Sequence, residues 1–301
     1  AETVKKDMKT SVLLMIGMET PYAPPYGSNI QEIVNDAGMN FFMFNAKFDA
    51  QLQSQQMDDA IAMRPDLIVV FAADSQGIAP GIKKAYDAGI PVFLCNAPPV
   101  EEAEQWTVAY AGPNNYLEGQ VAGEMIYEVL DGEGDIVMIE GLAGQDAQIN
   151  RAQGMLDKLD EMNADIELLA RQPADWRKDL AVQVMQDFIT RYGDDIDLVY
   201  GQDDTLAIGA AIAREEAGMK GEIPIVGIGG SREGLKAVNE GLVYGTVLQS
   251  PIDETNLVAP MAVEMVEKGF EAGDKWDPYW NYMETPAVTK ENVEKYLPGD
   301  W

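Results

Sequence analysis

Two side chains near the middle of the chain have the types needed to hold a small polar ligand. Arg151 follows an apolar run at 136–140 and a glycine-containing turn, the place where open α/β sheets hold ligands. Its guanidinium presents five donors in a rigid fork. Trp176 follows the next predicted strand and offers a flat apolar face with one donor. An arginine on the surface and a tryptophan in the core, neither with a role in binding, would look the same in the sequence. The residue types alone therefore favour neither the binding nor the structural interpretation.

The composition excludes several classes of partner. The 51 acidic and 21 basic residues give a formal net charge of −30. A nucleic-acid phosphate backbone needs a basic face, so nucleic acid is excluded as a partner, and an anionic membrane surface is disfavoured. Hydrophobic residues make up 47% and charged residues 24%, the balance of a folded globular chain.

The chain has few residues for metal or nucleophilic chemistry. It contains no histidine, which removes the commonest general base and the commonest zinc ligand. Its one cysteine, Cys95, ends the apolar run 91–95 and is predicted to be a core residue. We therefore expect no catalytic residue, no metal and no cofactor.

Short apolar runs alternate with amphipathic stretches along almost the whole chain, which predicts βα units and mostly parallel sheets. The alternation of strands and helices is interrupted near 111–114 and then resumes, so the chain is predicted to hold two similar α/β halves without a flexible linker. Such halves favour a hinge, with a ligand held in the cleft between them. A short last helix at 289–296 is predicted, with Thr289 as its cap. The predicted strands are 11–17, 40–45, 67–71, 91–96, 135–140, 165–170, 197–201, 223–228 and 243–248; the predicted helices are 28–37, 51–63, 78–88, 115–130, 146–162, 177–192, 203–217, 231–240 and 251–268.

Four motifs in order make the chain resemble the type I periplasmic sugar-binding proteins, the ribose- and galactose-binding group that serves ABC importers. The motifs are 141–155, which contains Arg-Ala-Gln-Gly at 151–154, followed by 172–176, 201–210 and 225–230. The resemblance implies two doubly wound, parallel-sheet lobes joined by a three-segment hinge. The first lobe would comprise 1–111 plus 250–282, and the second 112–249 plus 283–301.

The resemblance also assigns ligand contacts by motif. Arg151 matches an arginine that binds sugar hydroxyls, for which we expect two or more donated hydrogen bonds, and Trp176 matches an aromatic residue stacked on the sugar face. Asn96 matches a cleft asparagine and Gln249 a hinge-side amide, while Asp203 replaces the usual asparagine. Each polar residue also has a plain structural interpretation: a helix cap for Asp203, a turn former for Asn96, and an exposed strand end for Gln249.

The chain departs from the family pattern at three places. Gly229 and Ala97 stand where charged partners are often found, and the first loop lacks the family's Asn-Pro-Phe-Phe type of sequence. Within that loop, Tyr22 and Tyr26 are candidates for aromatic contact and Glu19 for an acceptor. These differences predict a small sugar or sugar alcohol other than ribose or galactose.

The resulting hypothesis is a non-enzymatic, monomeric binding protein that presents its solute to the membrane permease of an ABC transporter. A periplasmic location is expected, because the sequence starts at Ala1 as a chain would after signal cleavage. Replacing Arg151 or Trp176 by alanine is expected to remove most binding and leave the fold intact.

Three alternatives compete with this hypothesis. A non-carbohydrate polar solute, such as a nucleoside, an autoinducer-like compound or a sugar acid, could occupy the same fold. A hydrolase could use Asp203 with Glu140 or Asp74 as paired carboxylates. A regulator of the lac-repressor type would need a helix-turn-helix, for which residues 1–10 leave no room.

Overall fold

The computed structural model describes residues 8–219 and 221–301. Residues 1–7, which belong to the segment 1–10 judged too short for a helix-turn-helix, lie outside the described residues. The chain divides into two compact units. Unit 1 comprises the described residues up to Pro113 together with Pro251–Met283, and unit 2 comprises Asn114–Ser250 and Glu284–Trp301. The chain therefore passes between the units after residues 113, 250 and 283. The boundaries predicted from the sequence were after residues 111, 249 and 282.

Unit 1 contains one six-stranded sheet, in which every neighbouring pair of strands is parallel. The four central strands are buried on both faces, so the strand Leu67–Phe71 is an unbroken apolar run in the sequence. The elements are β1 Thr10–Met15, α1 Ala23–Asp36, β2 Asn40–Asn45, α2 Ala50–Met63, β3 Leu67–Phe71, α3 Ser75–Asp87, β4 Val92–Cys95, α4 Glu101–Glu104, β5 Ala109–Gly112, and after the return from unit 2, α10 Pro251–Lys268 and β11 Trp280–Tyr282. The strand order is β11-β5-β4-β3-β1-β2.

Unit 2 repeats this plan. Its elements are α5 Asn115–Leu130, β6 Glu133–Glu140, α6 Asp146–Glu161, β7 Asp165–Pro173, α7 Lys178–Tyr192, β8 Leu198–Gly201, α8 Asp204–Glu216, β9 Ile225–Gly229, α9 Arg232–Glu240, β10 Gly245–Leu248 and β12 Ala287–Thr289. The strand order is β12-β10-β9-β8-β6-β7, and only β12 runs antiparallel to its neighbour. The first strand of each sheet thus lies one place in from an edge; the chain adds the edge strand next and then extends the sheet on the other side. This order brings the carboxyl ends of the parallel strands to one edge, where ligands bind in open α/β sheets.

The prediction of a last helix capped by Thr289 is wrong. Thr289 ends β12 and pairs with Gly245 of β10, and its backbone N–H donates to Asn292 Oδ1 at 2.9 Å. Only Val293–Lys295 form a short 3-10 turn. The β-branched residues Val288 and Thr289 pair with the edge of the sheet, and this tertiary pairing overrides the local cap signal.

No helix in the described part of the chain is both long and apolar enough to span a membrane.

Candidate functional site

Arg151 lies on α6 in unit 2 and is 4% exposed. Its Nε donates to Glu118 Oε2 at 3.0 Å, its Nη1 to the carbonyl oxygen of Gln202 at 2.7 Å, and its Nη2 to Gln249 Oε1 at 2.5 Å. Nη2 also lies 2.8 Å from Glu118 Oε2. Because a guanidinium has five N–H groups, these four contacts leave one for other partners. In this structure Arg151 pairs with Glu118 and also orients the Gln249 amide.

Glu118 was missed by the sequence-based prediction. It lies on α5, is 0% exposed, and forms the buried ion pair with Arg151. Burial raises the pKa of the Glu118 carboxyl, and the positive charge of Arg151 opposes this rise. A single acidic residue in a helical pattern gives no sign of such a role. Only the packing of α5 against α6 brings Glu118 beside Arg151.

Trp176 lies in the turn between β7 and α7, with its ring against Gly141 at the end of β6. A Cβ atom on Gly141 would lie 1.9 Å from Cζ2 of the ring, so only glycine leaves room for it. The ring Nε1 donates to Gln145 Oε1 at 2.5 Å, and the Arg151 guanidinium carbon lies 5.9 Å from the ring centroid. Asp175 and Trp176 both have positive φ, 53° and 59°. Such conformations are uncommon outside glycine and cluster at functional sites.

A buried polar network holds the loops that carry these side chains. Glu140, 3% exposed, accepts from Arg171 Nη2 at 2.7 Å and from Gln148 Nε2 at 2.8 Å. Gln202 Nε2 donates to the Gln148 carbonyl at 2.8 Å, and Gln202 Oε1 accepts from the Gly141 N–H at 2.9 Å. Glu140 is thus engaged in fixing the loop, which is not the setting of the second carboxylate of a hydrolase.

Asp203 follows β8 and is the N-cap of α8. Its Oδ1 accepts from the Leu206 N–H at 2.7 Å, so the capping interpretation is correct for this oxygen. The side chain is only partly exposed. Burial raises the pKa of the Asp203 carboxyl from 3.8 to about 7, although the hydrogen bond from the Leu206 amide lowers it. The carboxyl therefore changes charge near neutral pH.

The raised pKa of Asp203 predicts a pH-dependent affinity. Between about pH 4 and about pH 7, Asp203 is protonated in the folded chain and ionised in the unfolded chain. The contribution of this carboxyl to the free energy of unfolding therefore falls as the pH rises from about 4 to about 7. The carboxylate is the better acceptor for a hydroxyl, so we expect affinity to rise with pH through about 7, by at most about tenfold per unit. Titration calorimetry across this range measures it. Asp203→Asn keeps the cap and should flatten the profile; equal profiles in the two proteins would contradict the prediction.

In unit 1, Asn96 and Tyr22 belong to one hydrogen-bonded group around Glu254. Glu254 is 0% exposed, and it accepts from the Tyr22 hydroxyl and, at 2.8 Å, from Asn96 Nδ2. Asn96 directly follows β4 and has a φ of 60°. The Tyr110 hydroxyl donates to the Asn96 carbonyl at 2.9 Å. The structure thus unites two of the predicted residues through a carboxylate that the sequence did not indicate.

The remaining candidates of unit 1 lie outside this hydrogen-bonded group. Tyr26 is 0% exposed in the core, with its ring centroid 5.6 Å from that of Phe71, so this structure does not offer it to a ligand. Glu19 is exposed, and its Oε2 accepts from the Met18 N–H at 2.6 Å. Asp74 caps α3 by accepting from a backbone amide at 2.9 Å. We therefore leave Tyr26 and Asp74 out of the proposed site.

The two buried carboxylates hold equivalent places. Glu118 is the fourth residue of α5, which starts just after the chain enters unit 2, and Glu254 is the fourth residue of α10, which starts where the chain re-enters unit 1. Each accepts from side chains that were predicted to bind ligand: Arg151 in unit 2, and Tyr22 and Asn96 in unit 1. An alignment of the two halves of the sequence could have indicated this correspondence. In the described part of the chain no group of three or more acidic or cysteine side chains could hold a metal ion.

Comparison with known proteins gives the same interpretation of the chain. Residues 12–270 match the family described as a periplasmic binding protein domain. The xylitol-binding protein of Mycolicibacterium smegmatis is 34% identical over 250 residues, which are 83% of this chain and 68% of that protein. The ribose import binding protein RbsB of Escherichia coli is 25% identical over 276 residues, 92% of this chain and 90% of that protein.

Solved structures share the fold. The periplasmic binding protein component of the arabinose ABC transporter from Shewanella sp. ANA-3 has a TM-score of 0.87 at 23% identity, over 95% of this chain and 94% of that one. The Caulobacter myo-inositol binding protein has a TM-score of 0.88 at 18% identity, over 97% and 96%. The family match spans most of the chain, and both six-stranded sheets follow the plan that the motifs predicted. The chain belongs to the periplasmic binding protein family and has its type I fold.

Proposed function

We propose that this chain is the solute-binding protein of an ABC importer and that it binds a small, uncharged sugar or sugar alcohol without transforming it. The observation that carries the ligand class is the group at the carboxyl edge of the unit 2 sheet. There Arg151 orients the Gln249 amide, Trp176 presents an aromatic face, and Asp203 supplies an acceptor. According to their names, the relatives described above bind xylitol and ribose, which are molecules of this class.

The chemistry of these side chains suits a polyhydroxylated ligand. A sugar or polyol exposes hydroxyl groups around its edge and C–H groups on its faces. An amide such as that of Gln249 can both donate and accept, and a carboxylate such as that of Asp203 accepts. The indole of Trp176 covers the apolar face, and the Arg151 charge 5.9 Å from its centroid holds the ring in place.

The charges favour a neutral ligand over a sugar acid. The positive charge of Arg151 is already paired with Glu118 at 2.8 Å. Asp203 adds a second carboxyl group, and the corresponding group of unit 1 is built on the buried Glu254. An anionic ligand would meet the Asp203 carboxyl while the charge of Arg151 is already paired, so the desolvation of the ligand's own charge would be poorly compensated.

We further propose that Asn96 and Tyr22 of unit 1 contact ligand. The motif order and the family support this step. We also propose a permease partner and a periplasmic location, which the family supports, together with a monomeric state in solution.

A thermal-shift screen tests the ligand class. The panel comprises xylitol and other pentitols, pentoses, hexoses, inositols, sugar acids, nucleosides and amino acids. We expect one or more neutral polyols or sugars to raise the unfolding temperature, since a ligand at a hundredfold excess over its dissociation constant adds about 2.7 kcal/mol to the free energy of unfolding. The matched sugar acids should have no effect.

The same screen separates the alternatives. Stabilisation by a nucleoside or an amino acid and by no carbohydrate would replace the proposed ligand class with the non-carbohydrate one. Any turnover of an aryl glycoside by the protein, lost in Asp203→Asn, would instead support a hydrolase.

A further inference from the structure

Phe48 lies in unit 1 at the position that Trp176 occupies in unit 2. β2 and β7 are the equivalent edge strands of the two sheets, next to β1 and β6 respectively. The chain leaves β2 through residues 46–49 into α2, and it leaves β7 through residues 174–177 into α7. Phe48 and Trp176 are each the third residue of their segment, and in both segments a buried alanine comes first and the aromatic residue is half-buried.

The backbones of the two segments match. Lys47 and Phe48 have φ of 52° and 60°, and Asp175 and Trp176 have φ of 53° and 59°. Across residues 8–219 and 221–301 these are the only two pairs of consecutive non-glycine residues with positive φ. Sharing this uncommon conformation at equivalent positions argues against chance.

The hydrogen bonds of the two segments match as well. The alanine that opens each segment donates from its N–H to the strand beside it, Ala46 to the Met15 carbonyl at 3.0 Å and Ala174 to the Glu140 carbonyl at 2.8 Å. Each alanine carbonyl then accepts from the N–H three residues later at 2.8 Å. The turn is therefore the same structure built twice.

Each aromatic ring also lies against a glycine at the carboxyl end of the neighbouring strand. A Cβ atom on Gly17, after β1, would lie 2.5 Å from Cε2 of Phe48, as a Cβ on Gly141 would collide with Trp176. Both glycines thus leave space for a flat ring at the edge of the sheet. A phenylalanine needed only for the core could pack beneath a helix in ordinary backbone geometry.

We infer that Phe48 is the aromatic ligand contact of unit 1, equivalent to Trp176, and that it packs on an apolar C–H face of the sugar or polyol. The inference rests on the proposed function. It also accounts for the first loop, which lacks the family's Phe-Phe sequence and whose Tyr26 is buried in the core. The aromatic surface missing from that loop is supplied from the turn after β2.

Calorimetric titration of Phe48 variants with xylitol, and with each compound that stabilises the wild-type protein in the screen, tests the inference. We expect Phe48→Ala to raise the dissociation constant at least tenfold and Phe48→Trp to keep it within about threefold, because both aromatic rings offer a flat apolar face. Gly17→Ala should weaken binding as Phe48→Ala does, since it displaces the ring without removing it.

The control is Phe41→Leu. Phe41 lies on β2 and packs against the same core as Phe48, so its replacement should change the urea midpoint and leave the dissociation constant unchanged. If Phe48→Ala binds within twofold of the wild-type protein, the inference is overturned and the proposed function stands. If the wild-type protein binds no compound of the panel, the proposed function fails, and the inference fails with it.

Discussion

Arg151→Ala is expected to abolish ligand binding and also to destabilise unit 2 by about 3–5 kcal/mol. The sequence alone predicted that this substitution would leave the fold intact, and the buried ion pair leads us to expect a less stable fold instead. Arg151 is 4% exposed and Glu118 is 0% exposed, so removing the arginine leaves a buried carboxylate without its counter-charge. It also removes the donors to Gln249 Oε1 and the Gln202 carbonyl. Urea unfolding followed by circular dichroism measures the loss.

A double substitution separates the two effects of Arg151. Replacing a buried ion pair by apolar residues of similar volume is often neutral or stabilising, so Arg151→Met combined with Glu118→Leu should recover much of the stability lost in Arg151→Ala. Binding should not recover, since the Gln249 amide stays without its orienting donor. A double variant that binds as the wild-type protein does would show that Arg151 serves only the fold.

Gly141→Ala is expected to weaken ligand binding about thirty- to hundredfold, as much as Trp176→Ala does. The added methyl group would lie 1.9 Å from the Trp176 ring, so the ring must leave its place beside Arg151. Trp176 lies partly exposed at the end of its turn, and for that reason the free energy of unfolding should change far less than the affinity. Calorimetric dissociation constants and urea midpoints give both quantities.

A double-mutant cycle shows whether Gly141 acts through the ring. In a Trp176→Ala background there is no indole for the methyl group to displace, so Gly141→Ala should then cost less than about threefold in affinity. Additive losses would mean that Gly141 affects binding by another route. Trp176→Phe is the matched control, because it keeps the aromatic face and loses only the Nε1–H that donates to Gln145.

Much of the fold could be predicted from the sequence because its signals are local. Parallel strands that are buried on both faces read as apolar runs, and β3, β4 and β8 lie within a residue or two of the predicted runs. The predicted helix at 115–130 coincides with α5, and Asn114 caps it, since its Oδ1 accepts from the Leu117 N–H at 3.0 Å. The predicted helix capped by Thr289 was wrong because the structure there depends on a distant residue: Thr289 pairs with Gly245, which is far away in the sequence.

The candidate site was predictable only in part. Arg151, Trp176 and Asp203 carry the family's motifs, and all three lie at the carboxyl edge of the unit 2 sheet or on the helix that follows it. Glu118 and Glu254 have no motif of their own, because a buried carboxylate is defined by what packs around it.

The sequence by itself determined the alternation of strands and helices, the two-part plan and the family, because periodicity and motif order are properties of neighbouring residues. The tertiary structure decided which donors Arg151 has already committed and which aromatic rings lie on glycine. Those outcomes depend on contacts across long separations, such as Arg151 with Gln249 and Asn96 with Glu254. Such pairs leave no pattern in a single chain because each residue's local segment is equally compatible with another partner.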